Sequence, residues 1–214
     1  MSENSCLAIS KTITDGLPDD AERLVQEAVA SGHSPEDILK EGLIAGILKT
    51  GELWKSNDYF LPDVILSSKA FKAAMEPLMP HLRKTKGDKR DKIFMIGVVE
   101  GDVHDLGKDI VVAMLQSVGF KIVDLGIDVP RSKFVEAVKE NKPDIIGIGA
   151  YMSTTMLMMK EVVTDLMEHD LRQNFKVMIG GVPTSQEFAD EIGADAWGKD
   201  AIDTMEKALE LAGG

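Results

Sequence analysis

The chain has one cysteine, two tryptophans and two tyrosines in 214 residues, and no apolar run long enough to span a bilayer. A lone Cys6 cannot close an internal disulfide, so a reducing compartment is expected without being required. Cys6 lies close to an N-terminus expected to be mobile and is given no role. The opening Met-Ser-Glu-Asn-Ser lacks a basic start followed by an apolar stretch, which makes a cytoplasmic location the expectation. Basic residues are in deficit too: 24 Lys and Arg against 36 Asp and Glu give a formal net charge of -12. Such a surface repels phosphate backbones and anionic lipid heads, so neither nucleic acid nor a membrane is expected as the main partner. The 44% hydrophobic and 28% charged residues argue against disorder and a coiled coil, and the length suits one ordinary domain or two small ones.

Two periodicities divide the chain. From about Ile9 to Leu82 apolar residues recur at helical spacing, through Leu24, Val25, Ala28 and Val29, then Ile38, Leu39, Gly42, Leu43, Gly46 and Ile47. Ser34 before Pro35 reads as an N-cap with a first-turn proline, and Gly32 and His33 suit the end of the preceding helix. Tyr59-Phe60-Leu61-Pro62 ends a loop, after which Val64, Ile65, Leu66, Ala70, Phe71, Ala74, Met75 and Leu78 continue as a helix. Residues 1–88 are therefore expected to form a four-helix bundle. The charged run from Arg83 to Lys92 has no apolar anchor and reads as a domain linker.

Over residues 89–214 the pattern changes to short β-branched runs alternating with amphipathic helices. The runs are Ile93–Val99, Lys121–Asp124, Asp144–Gly149, Lys176–Ile179 and Asp195–Trp197. The helices between and after them run from Leu106 to Val118, Lys133 to Lys139, Met156 to Leu171, Gln186 to Glu191, and from Ala201 onward. The expected fold class is α/β: a flavodoxin-like, Rossmann-like, doubly wound parallel sheet of five strands. Ligands of such sheets lie beyond the carboxyl ends of the strands, so the residues that follow each strand carry the interest.

The first strand runs into Glu100-Gly101-Asp102-Val103-His104-Asp105-Leu106-Gly107-Lys108-Asp109. An imidazole two residues after a carboxylate can bind a metal through one ring nitrogen while the carboxylate holds the other N–H. Gly107 permits close approach of a bulky ligand. Taken alone, Asp-x-His-x-x-Gly fits equally a histidine that caps a helix or lies in a polar loop. The methionines at 152, 156, 158 and 159 read as core filler.

Asp102, His104 and Gly107, together with Gly180-Gly181 after the fourth run, resemble the signature of the cobalamin-binding domain shared by methionine synthase, cobalamin-dependent mutases and methyl-carrying corrinoid proteins. That signature is Asp-x-His-x-x-Gly, then Ser-x-Leu, then Gly-Gly. The middle element departs: its spacing falls on Gly149-Ala150-Tyr151, with Ser153 as the substitute hydroxyl. The resemblance implies a corrinoid with its own base off the cobalt and His104 as lower axial ligand, Asp102 standing behind the histidine. It implies contacts from Val103, Asp105, Leu106, Gly107, Gly149, Tyr151, Ser153, Gly180, Gly181, Gly198, Asp200 and Ala201. A deep slot for the nucleotide tail is expected along Gly147, Gly149, Gly180 and Gly181. Trp197-Gly198-Lys199-Asp200-Ala201 stands where the family closes over the tail, and equally reads as a strand end running into a capped helix.

The helical half is similar to the cap module of methyl-carrying corrinoid proteins. Gly51-Glu52-Leu53-Trp54 and Tyr59-Phe60-Leu61-Pro62 match that module's loops and are expected to pin two helices together. The resemblance implies a carrier that is not catalytic alone. It takes a methyl group from a substrate-specific methyltransferase to a second methyltransferase acting on tetrahydrofolate or a thiol coenzyme, with a reductive activator as a further partner and the cap hinging at the linker. No barrel-length segment or cysteine cluster is present to bind the methyl donor or a folate. Two alternatives are a cobalamin-dependent sensor, which lacks a DNA-binding element here, and the small subunit of a mutase, which lacks a cap.

Overall fold

The computed structural model describes residues 2–82 and 92–213, and the chain divides into two compact units, Met1–Gly87 and Asp88–Gly214. The expected boundary between 88 and 89, and all of the expected linker and hinge except Lys92, lie outside the described residues.

The first unit is helical. Helix α1 spans Ser2–Thr14, α2 spans Pro18–Ala30, and α3 (Pro35–Asp37) runs through a π-helical stretch, Ile38–Ile44, into α4 (Ala45–Lys55). Helix α5 covers Leu61–Leu82. Counting the run from Pro35 to Lys55 as one rod gives the four helices that the periodicity predicts. Ser34 caps α3 by accepting a hydrogen bond from the Asp37 amide, with Pro35 in the first turn. The π-helical stretch has no signal in the periodicity. Gly46 lets α1 come close, since a Cβ there would sit 2.9 Å from Ile13 Cβ.

The mobile N-terminus expected around Cys6 is corrected by α1. Cys6, Ile9 and Ile13 are spaced to face one way and are buried, so the first turns are held by the core. Burial, then the charges of Glu41 and Asp37, push the Cys6 thiol above its ordinary range. Of the two expected loops, Gly51-Glu52-Leu53-Trp54 lies instead inside α4, and Tyr59-Phe60 leads into α5. The Tyr59 hydroxyl donates to the Thr14 carbonyl at 3.0 Å and pins the connection between α4 and α5 to the end of α1, whereas Trp54, Phe60 and Leu61 are exposed.

The second unit is a five-stranded parallel sheet in the order β2-β1-β3-β4-β5. Its strands are β1 (Ile93–Val98), β2 (Lys121–Asp124), β3 (Ile145–Gly149), β4 (Lys176–Gly180) and β5 (Ala196–Gly198). Between and after them come α6 (Leu106–Ser117), α7 (Arg131–Asn141), α8 (Leu157–Glu168), α9 (Gln186–Ile192) and α10 (Ala201–Leu211). Helices α6 and α10 pack side by side, as do α7 and α8, so both faces of the sheet are covered. Phe134, Val135 and Val138 of α7, Met159, Val162 and Leu166 of α8, and Phe188 and Ile192 of α9 close over Met95, Ile146, Ile148, Val177 and Ile179. Met159 is core, as expected, with Met156 and Met158 packed against the same cluster. Among the described residues no helix is long and apolar enough to cross a membrane.

This strand order has a consequence for the site. The chain moves from β1 outward to β2, then returns to lay β3 on the other side of β1. The crevice at such a reversal opens beyond the carboxyl ends of β1 and β3. The loops that begin at Val99 and Ala150 are therefore brought together there although about fifty residues separate them.

Candidate functional site

The loop after β1 is braced before it reaches its histidine. Val99 donates to Gly149 O, and Gly101, at a φ of +82°, donates its amide to Asp128 Oδ1 at 2.7 Å. Asp128 in turn donates its amide to Asp102 O at 3.0 Å. The backbone at Asp102 is thus held by the loops that follow β2 and β3.

Asp102 is fully buried and is the hub of the site. Its Oδ1 accepts from the His104 amide at 3.2 Å and lies 2.7 Å from His104 Nδ1. Its Oδ2 accepts from the amides of Tyr151 at 2.7 Å and Met152 at 3.2 Å, and from the Thr155 hydroxyl at 2.7 Å. Burial alone pushes this carboxyl up, but the bonds from the Tyr151 amide, the Thr155 hydroxyl and the His104 ring and amide outweigh it and hold it down at about 2. An ionised carboxylate only accepts, so the 2.7 Å contact requires the proton on Nδ1. The lone pair of the neutral imidazole then lies on Nε2, the nitrogen left to ligate a metal. The His104 side chain is 54% exposed, so that lone pair is within reach of a ligand.

The structure distributes the other expected residues unevenly. Val103 is exposed beside His104, Asp105 immediately precedes α6, and Leu106 opens it. Gly107 lies under the ring of Tyr151. Gly149 ends β3 opposite Gly180, and Gly181 approaches the Ala150 carbonyl so closely that a side chain would collide with it. Ser153 is exposed, and the hydroxyl that reaches the central carboxylate belongs to Thr155, two residues further on. Gly198 ends β5, and Asp200 and Ala201 come after it; Asp200 Oδ1 accepts from the Asp203 amide and caps α10, while Asp203 Oδ2 accepts from the Lys199 amide. The segment does run from a strand end into a capped helix.

Gly147 needs correcting as part of an open slot. A Cβ there would lie 2.6 Å from the Phe94 ring, so this glycine makes room for core packing. Sequence reasoning also missed Val182, which follows Gly180-Gly181 and is 88% exposed at the same carboxyl edge as Val103. An apolar residue directly after a glycine pair at a strand end was the available signal. Lys108 was missed as well: it is buried and paired with both Asp109 and Asp124, which ties the first turn of α6 to the end of β2.

The assembled edge is a Rossmann-like ligand site with one exposed imidazole, oriented by a buried ionised aspartate and flanked by exposed apolar side chains. That arrangement suits a large, partly apolar group whose metal arrives with it and takes a single ligand from the protein. Comparison with known proteins agrees. The B12 binding domain family matches residues 92–206, and a second B12 binding domain family matches residues 8–78. Trimethylamine corrinoid protein 1 of Methanosarcina acetivorans is 41% identical over 196 residues, covering 91% of this chain and 91% of that one. The structure of the Methanosarcina barkeri monomethylamine corrinoid protein superposes with a TM-score of 0.80 at 37% identity, covering 95% of this chain and 96% of that one. A methanol:cobalamin methyltransferase complex of Methanosarcina barkeri contains a chain with a TM-score of 0.55 at 32% identity, covering 99% of this chain and 80% of that one. The chain belongs to the B12-binding corrinoid proteins, and its ligand is a corrinoid.

Proposed function

We propose that this protein carries methyl groups on a corrinoid held through His104, receiving them from a substrate-specific methyltransferase and giving them up to a second methyltransferase. The observation that carries the assignment of the ligand is the His104–Asp102 pair: the proton is fixed on Nδ1 by a carboxylate that stays ionised, and Nε2 is exposed. Bound in this way, a corrinoid supplies a cobalt that accepts and releases a methyl group. The chain's own residues do the rest. Asp102 orients the imidazole, and Thr155 with the Tyr151 and Met152 amides orients Asp102. Val103 and Val182 offer apolar contact at the edge, and the Gly180-Gly181 turn lets backbone come close.

The carrier role and its partners are drawn from relatives that serve trimethylamine, monomethylamine and methanol. A methylamine or methanol methyltransferase is the donor side of the proposal, and tetrahydrofolate or a thiol coenzyme is the final acceptor. The test is reconstitution with hydroxocobalamin, read by absorbance and by electron paramagnetic resonance of the Co(II) form, for the unaltered protein and for His104→Ala. Nitrogen hyperfine splitting that disappears in His104→Ala supports the ligand assignment. An unchanged spectrum removes His104 from the metal, and failure of the unaltered protein to bind sinks the carrier reading.

A further inference from the structure

The space that Gly107 leaves free beside His104 is already taken. The ring of Tyr151 lies against it, so that a Cβ on Gly107 would come within 2.5 Å of Cε1 and 2.7 Å of Cζ. The same ring is the neighbour of Gly149, where a Cβ would be 3.7 Å from Cε2. Its starting point is fixed, because the Tyr151 amide donates to Asp102 Oδ2 at 2.7 Å. Its centroid stands 6.1 Å from that of the His104 imidazole, with the two planes inclined at 44°. The ring itself is held by packing: among the described residues the phenol hydroxyl makes no hydrogen bond. A residue anchored at its backbone and free at its tip can swing without breaking a polar contact.

A corrinoid that exchanges its own lower base for His104 must lay that base, and the phosphate and ribose that tether it, against the protein within reach of the imidazole. Backbone bare of a side chain lies beside the Tyr151 ring, which neighbours His104, at Gly107 in the first turn of α6 and at Gly149 at the end of β3. Both positions face Tyr151. We propose that Tyr151 determines selectivity for the corrinoid tail: its ring occupies the place between Gly107 and Gly149, and a nucleotide tail enters only as the ring leaves. This rests on the corrinoid reading above. It predicts that a corrinoid without a nucleotide tail loads without disturbing Tyr151, whereas one with a tail loads against the cost of moving it.

The experiment is stopped-flow absorbance of hydroxocobalamin, which has the tail, and diaquacobinamide, which lacks it, binding to the unaltered protein, Tyr151→Leu, Tyr151→Met and Tyr151→Phe. Tyr151→Leu is expected to take up hydroxocobalamin about tenfold faster and cobinamide at a rate within about twofold of the unaltered protein. Tyr151→Phe keeps the ring and is expected to behave as the unaltered protein does. Detachment of cobalamin's own base is common to all variants and cancels in the comparison. Tyr151→Met serves if Tyr151→Leu does not fold, and its uptake of cobinamide shows that the His104 loop is intact. Equal acceleration of both corrinoids, or of neither, overturns the role of Tyr151 and leaves the corrinoid reading standing. If neither corrinoid binds the unaltered protein, the corrinoid reading falls and takes this one with it.

Discussion

Two aspartates in loops that follow strands of the second unit do different work. Asp102 follows β1 in the crevice where the strand order reverses, and Asp200 follows β5 at the edge of the sheet. Asp102 is buried and accepts from two neighbouring loops, its own and the one after β3. Asp200 is exposed, and among the described residues its side chain accepts only from the helix that it opens. Both are aspartates in a loop that follows a strand, four residues past β1 and two past β5. A central place in the sheet lets a second loop converge on Asp102, and convergence turns a capping residue into one that orients a ligand.

The largest expected effect comes from removing the buried member. Asp102→Ala leaves the Tyr151 and Met152 amides and the Thr155 hydroxyl without their acceptor, and is expected to cost about 3–5 kcal/mol in urea denaturation. A cost no greater than that of Asp200→Ala breaks the comparison.

Acid provides the next contrast. The Asp102 carboxyl ionises at about 2 in the fold against an ordinary 3.8, so its folded pKa is depressed. Its contribution is complete above about pH 4 and is lost as the pH falls through 2, amounting to about 2 kcal/mol. Stability measured from pH 5 to pH 2 is expected to fall by that much more in the unaltered protein than in Asp102→Asn. Parallel curves would show that the hydrogen bonds to Asp102 do not favour its charged form.

A third substitution separates the two hydroxyls after β3. Thr155→Val removes a bond to a buried carboxylate and is expected to cost about 1.5–3 kcal/mol, while Ser153→Ala stays within about 0.5 kcal/mol. The reverse ranking in thermal melts would show that the Thr155 bond to Asp102 contributes little to the fold.

The smallest effect is at the edge. Asp200→Ala is expected to cost about 1 kcal/mol through loss of the α10 cap, and Asp200→Ser to restore most of it. A serine that fails to rescue would mean that Asp200 does more than cap.

Much of this was legible without coordinates. Alternating β-branched and amphipathic segments predict the five strands and their helices nearly to the residue, because burial on both faces of a parallel sheet demands continuous apolar strands and right-handed crossovers. The loop that carries Asp102, His104 and Gly107 was legible for the same reason: its chemistry is local, with the carboxylate two residues from the ring that it holds. The exposure of Trp54 and Phe60, the burial of Cys6 and the packing of Phe94 against Gly147 were not, since each depends on which helix or strand lies opposite.

Sequence by itself determined the elements, the histidine and its aspartate. Tertiary structure alone decided that the Thr155 hydroxyl reaches Asp102, and that Tyr151 fills the space at Gly107. The physical reason is the strand order: β3 is laid against β1, which brings residues some fifty positions apart within hydrogen-bonding distance of a single buried carboxylate.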